Sequence, residues 1–86
     1  MRRWPEWWSW DLEFTAHLLK RMKDRTFSEV DLRTMLTKAM AFHPDVEPGR
    51  WAIVTRHRRR SWEVIVEPDD RARALVVVTA YPLEGN

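Results

Sequence analysis

WAIVTRHRRRSWEVIVE, residues 51–67, is the stretch that decides the fold. Trp51, Ile53 and Thr55 alternate with Ala52, Val54 and Arg56, and Trp62, Val64 and Val66 alternate with Ser61, Glu63 and Ile65. Period-two alternation is the mark of strands whose two faces meet different surroundings. The run His57-Arg58-Arg59-Arg60 between them is polar, so the two strands form a hairpin. A turn at Arg58-Arg59 sets Thr55 against Trp62 and Ile53 against Val64, with Trp51, Ile53, Trp62, Val64 and Val66 on one face.

Downstream, Pro68-Asp69-Asp70 reads as a second turn. The stretch from Arg73 to Tyr81, with ALVVVTAY at its core, reads as a last strand apolar on both faces and ended by Pro82. Turning at Asp69-Asp70 pairs Val64 with Leu75 and Trp62 with Val77. Continued, that register puts Thr79 beside Arg60 and Tyr81 beside Arg58. The arginine turn and the end of the last strand then meet at one end of the sheet. The opposite face carries Val54, Ile65, Val76 and Val78 and needs a cover. The Trp-rich start of the chain is the favoured cover, and a homodimer partner is the alternative.

Upstream, Asp11 to Arg25 is predicted to be a helix, with Phe14, Leu18 and Met22 spaced by four and Leu19 widening the stripe. Ser28 followed by Asp31 predicts a capping box opening a second helix to about Met40, burying Leu32, Met35, Leu36, Ala39 and Met40. His43-Pro-Asp-Val-Glu-Pro-Gly49 reads as a loop. The expected fold is therefore α+β: two N-terminal helices on a three-stranded antiparallel sheet, with a fourth strand left open. Residues 1–10 form a Trp-rich segment, 11–82 the domain and 83–86 a tail.

Eighty-six residues make one domain. A domain of this size buries only about 60% of its unfolded surface, so the six Trp matter. There is no Cys, hence no disulfide framework and no thiolate metal site. His17, His43 and His57 are isolated from one another, and no metal or cofactor is expected. Two glycines cannot build a P-loop or a dinucleotide-binding turn. No apolar leader and no run near the roughly 20 apolar residues of a membrane span is present, so a cytoplasmic protein is expected. Net charge is only +2, but the basic residues are 12 Arg against 3 Lys. Arginine suits planar phosphate recognition; a GC-rich genome explains part of the ratio, but not the clustering at 56–60.

Two features point to chemistry. The hairpin RHRRR at 56–60 has no acid between Glu47 and Glu63, and makes a phosphate-binding projection unless it is merely a solvated turn. His17 and Arg21, one helical turn apart, lie on the border between core and solvent, where side chains act on substrate or simply snorkel. Trp51 and Trp62 belong to the core. Tyr81 is the better candidate for stacking or proton handling.

His17-x-x-x-Arg21-Met22-x-x-Arg25, the cap Ser28-Glu-Val-Asp31 and the close Val77-Val78-Thr79-Ala80-Tyr81 together resemble a family of small bacterial proteins over residues 14–82. That family is similar to the RelE, ParE and BrnT toxins and the wider barnase–EndoU–colicin–RelE group of metal-independent ribonucleases. The Trp-rich start departs from the pattern. The resemblance implies a RelE-like fold and RNA cleavage by 2′-hydroxyl attack on the adjacent phosphate. It makes His17 the candidate base or acid, and Arg21 and Arg60 the groups facing phosphorane charge. Tyr81 would position or protonate, and Thr79 would hydrogen-bond a phosphate oxygen. Arg25, Arg56, Arg58 and Arg59 would hold the RNA backbone. It implies RNA as partner, with an antitoxin or immunity protein beside it. The alternative is a non-catalytic nucleic-acid- or protein-binding subunit of a bacterial or phage assembly, monomeric or homodimeric, docking through Trp4, Trp7 and Trp8. A toxin-neutralising role fits poorly, because inhibitors of nucleic-acid enzymes are usually acidic.

Overall fold

The computed structural model describes residues 4–83. Residues 84–86 of the expected tail, and the first three residues of the Trp-rich segment, lie outside the described part. After a 3-10 turn at Glu6–Ser9, the elements are β1 (Asp11–Phe14), α1 (Ala16–Asp24), α2 (Glu29–Thr37), β2 (Ala41–Pro44), β3 (Trp51–His57), β4 (Arg60–Asp69) and β5 (Ala74–Pro82). They make an α+β domain with one five-stranded mixed sheet in the order β1-β5-β4-β3-β2. Only the β1–β5 pair is parallel.

The first hairpin has the expected register, Thr55 against Trp62 and Ile53 against Val64. Two helices cover the face that alternation selects. Leu18 of α1 and Leu32, Met35 and Leu36 of α2 pack with Ile53, Trp62, Val64, Val66, Leu75 and Val77 in one buried cluster. The buried Thr55 hydroxyl donates to the Met35 carbonyl at 2.5 Å, pinning the end of α2 to β3. The capping box forms: Asp31 N–H donates to Ser28 Oγ, and Ser28 N–H donates to Asp31 Oδ2.

The structure corrects several expectations. Asp11–Phe14 is strand, not helix. Leu12 and Phe14 pack towards the core while Asp11 and Glu13 are exposed, a period-two pattern that ends at Thr15. Thr15 is the N-cap: its Oγ1 accepts from Leu18 N–H at 3.0 Å and donates to the Val78 carbonyl at 2.8 Å. Helix α1 is therefore short, and Leu19 is exposed rather than part of the buried stripe.

Helix α2 ends at Thr37 rather than near Met40, and Met40 is exposed. Ala41–Pro44 then pairs with β3 as an edge strand that takes in His43 and Pro44 of the expected loop. Edge strands tolerate proline, which masks them in a sequence.

The second hairpin does not turn at Asp69-Asp70. Asp69 still pairs with Ala74, and residues 70–73 form the loop. Asp69 Oδ1 accepts from Arg71 N–H and Ala72 N–H, both at 3.1 Å, and Arg73 takes a left-handed φ of 54°. A register shift at Ile65/Val66 leaves Val78 as the extra residue of β5. Thr79 consequently faces Ile65 and Tyr81 faces Glu63, not Arg60 and Arg58. Leu75 and Val77 keep the core face, because the slip preserves their parity.

The Trp segment does not cover the opposite sheet face. Trp7, Trp8 and Trp10 pack against the helix-side core. Trp7 lies 5.9 Å from Trp51, and Trp4 stacks on Trp8 at 4.4 Å and meets Phe42 at 4.8 Å. They fill the corner that two short helices leave open. Arg73 lies over Trp10 and pairs with Glu6, fixing the segment to the β4–β5 loop. Among the described residues no helix packs on the opposite face, where Ala52 and Ile65 are buried and Val54, Val76 and Val78 are half-buried.

Candidate nucleic-acid interface

The turn between β3 and β4 places Arg58 at φ 51° and Arg59 at φ 67°. Two successive left-handed residues are the geometry of a two-residue type I′ turn, whose preferred sequence is Asn-Gly. Arginine in each position costs about 1 kcal/mol or more of backbone strain. Arg58, Arg59 and Arg60 are all exposed, and among the described residues none has a carboxylate within ion-pairing distance. Arg56 Nη2 donates to the Arg59 carbonyl at 3.2 Å, and the His57 ring meets Trp62 edge-on at 5.4 Å.

Two clefts flank this projection. One, of about 340 Å³, lies between α2 and the hairpin and is walled by Thr34, Lys38, Arg56, His57, Arg58 and Arg59, with Asp31 at its margin. The Asp31 carboxyl sits below the usual carboxylate range because it accepts the Ser28 N–H, with smaller attractions from His57 and Arg58. It is occupied as a helix cap, so the cleft stays predominantly cationic. The other cleft, of about 540 Å³, lies at the end of β4 and β5 between Arg25, Arg60, Tyr81, Pro82 and Leu83.

The second cleft exists because β1 pairs only with residues 74–77 of β5, so the rest of β5 is a bare edge on that side. Its carbonyls are taken by side chains instead. Thr15 bonds Val78, and Arg25 Nη1 donates to the Ala80 carbonyl at 2.8 Å. The C-cap of α1 thus brings Arg25 into the cleft that Arg60 also lines.

Comparison with protein families matches the chain to "Domain of unknown function (DUF4258)" over residues 14–82. The chain belongs to that family. The match begins at Phe14, which leaves the Trp segment and most of β1 outside it. Neither the curated proteins nor the solved structures yield a match.

In this DUF4258 domain, Arg25, Arg60 and Tyr81 come together in one cleft, and Arg56, Arg58 and Arg59 in the other. His17 and Arg21 line neither. His17 is exposed in the first turn of α1, on the helix side of the sheet, and Arg21 is half-buried further along. Thr79 faces Ile65 and is half-buried.

The structure adds two residues that sequence reading did not connect. Glu63 accepts the Tyr81 hydroxyl at 2.6 Å on Oε1, while its Oε2 lies 3.6 Å from His43 Nε2. Burial first, and then the hydrogen bond and charge of Glu63, push the Tyr81 phenol up to about 12. The sequence signal for Glu63 is its place between Trp62 and Val64, on the outward phase of β4. His43 gave none, because β2 itself was unseen.

Proposed function

We propose that this DUF4258 domain binds RNA through the arginine end of its sheet and cleaves it without a metal, in the manner of a RelE-like toxin. The 2′-hydroxyl oxygen attacks the adjacent phosphorus, the bond to the 5′-oxygen breaks, and the products are a 2′,3′-cyclic phosphate and a 5′-hydroxyl.

One observation carries the reading. Arg58 and Arg59 stand in left-handed turn positions that glycine or asparagine would fill at lower cost, and among the described residues they have no acidic partner. Strain retained at exposed cations marks a site whose residues are kept for what they bind. Arginine forks match phosphate oxygens two at a time, and cations held at a developing phosphorane lower the barrier. Arg25 and Arg60 line one cleft of about 540 Å³.

Incubation of the purified chain with RNA in excess chelator tests it. The expected result is cleavage to 2′,3′-cyclic ends, reduced by Arg60→Ala, with growth arrest when the protein is expressed without a neutralising partner. Intact RNA at high protein concentration contradicts the catalytic part.

A second reading, RNA binding without cleavage, draws on a specific observation: His17 and Arg21 line neither cationic cleft. In that case RNA is retained intact by the same arginines.

A further inference from the structure

We propose that the uncovered face of the sheet carries the proton-handling centre of the RNA reaction: His43 touches the substrate, Glu63 orients His43, and Tyr81 holds Glu63. This rests on the ribonuclease reading and replaces His17 as its acid–base group.

The three residues come from three strands. Ala41 and His43 of β2 share the open face with Ala52 and Val54 of β3, and Val54 pairs with Glu63, which pairs with Tyr81. The small side chains of Ala52 and Ala41 leave His43 room to reach across β3 to Glu63. Glu63 then holds one neighbour on each oxygen, Tyr81 on Oε1 and His43 Nε2 on Oε2. Its side chain is only 17% exposed, whereas that of His43 is 54% exposed. A shielded carboxylate 3.6 Å from an accessible imidazole, within ion-pairing reach once the ring is protonated, can orient a general acid or base. His43 Nδ1 lies 3.2 Å from the Pro44 carbonyl, an exposed contact that a substrate hydroxyl can replace. The raised phenol keeps Tyr81 a neutral donor to Glu63.

Position ties the chain to the arginines. Tyr81 both bonds Glu63 and lines the Arg25–Arg60 cleft. Arg56 follows Val54 on the same phase of β3 and is held back to the turn by its bond to Arg59. The charged and titratable groups of this face near the chain are therefore Arg56 on β3, Glu63 on β4, Tyr81 on β5 and Asp45 just after β2. From Ala52, the partner of His43, to His57 at the turn is five residues of strand, about 16 Å at ~3.3 Å per residue. The fitting substrate is single-stranded RNA of several nucleotides, its phosphates on the arginine turn and one sugar at His43. As base, His43 takes the proton of the attacking 2′-hydroxyl on Nδ1, which exchanges the Pro44 carbonyl for the substrate while Nε2 stays beside Glu63; as acid, the resulting imidazolium returns it to the departing 5′-oxygen, so the proton count closes.

The test is a set of rates in chelator for the full chain and for His43→Gln, Glu63→Gln and Tyr81→Phe, with RNA affinity measured beside each. We expect His43→Gln to lower kcat by about 10²–10⁴-fold, the range of general acid–base catalysis, at unchanged affinity. Glu63→Gln and Tyr81→Phe should lower kcat with KM unchanged and displace the limb of the pH–rate profile that belongs to the imidazole, which a packing defect does not do. A wild-type chain that cleaves and a His43→Gln variant that cleaves equally overturn this inference and leave the ribonuclease reading standing. A wild-type chain that binds RNA but never cleaves it overturns both.

Discussion

Arg25 donates from Nη1 to the Ala80 carbonyl across 2.8 Å, while Arg60, which lines the same cleft, has no acidic partner among the described residues. One arginine supports the sheet edge and the other is available to a ligand. Their variants should separate accordingly. Arg25→Ala strips a charge-assisted bond from an edge carbonyl and should cost about 1–3 kcal/mol in denaturant unfolding as well as weakening RNA binding. Arg60→Ala should weaken RNA binding with stability within about 0.5 kcal/mol of wild type.

The arginine turn sets up a trade between stability and binding. Replacing Arg58-Arg59 by Asn-Gly relieves two left-handed side chains and should stabilise the domain by about 1 kcal/mol or more. At roughly 4–8 °C per kcal/mol for a domain of this size, Tm should rise by several degrees. RNA affinity should fall in the same variant. A rise in both would remove the argument from retained strain.

Tyr81 is the single tyrosine of the chain, so its ionisation can be followed by ultraviolet absorbance alone. The phenol should titrate near 12 in the folded protein, against its ordinary value of 10.0, and move down in Glu63→Gln. Because the folded value lies above the unfolded one, the associated stability is present below pH 10 and declines as pH rises through the interval from 10 towards 12. Tyr81→Phe should flatten that decline.

Trp7 contacts Trp51 and Phe42, and the Trp segment closes the core corner. Trp7→Ala should therefore cost about 1–3 kcal/mol, less than the ~3–5 typical of a fully buried large aromatic. A variant of wild-type stability that loses a protein partner would return the segment to the docking role inferred from sequence.

Much of this was legible in the chain. The turn at Arg58-Arg59 and the first hairpin register follow from alternation anchored at Trp51 and Trp62. The Ser28–Asp31 box follows from capping chemistry, and the basic turn from the charge run. What was missed was missed for local reasons. Phe14 satisfies a four-residue helical spacing and a two-residue strand spacing at once, and the parallel β1–β5 contact that chooses between them is long-range. Pro44 disguised β2, and with it His43. The Asp69 side chain lengthened the second turn, and the extra residue Val78 moved Thr79 and Tyr81 along β5, so Tyr81 met Glu63 instead of Arg58. Each is a tertiary choice between local patterns that the residues alone leave balanced.

The claim at the centre is that the arginine turn is a phosphate site for RNA. Its most direct test is the affinity of wild type and of Arg58→Ala/Arg59→Ala/Arg60→Ala for a single-stranded RNA across a range of salt. Three lost phosphate contacts should weaken binding and shallow the slope of log affinity against log salt by about 2, at roughly 0.7 per contact. Equal affinities and parallel slopes would contradict the account.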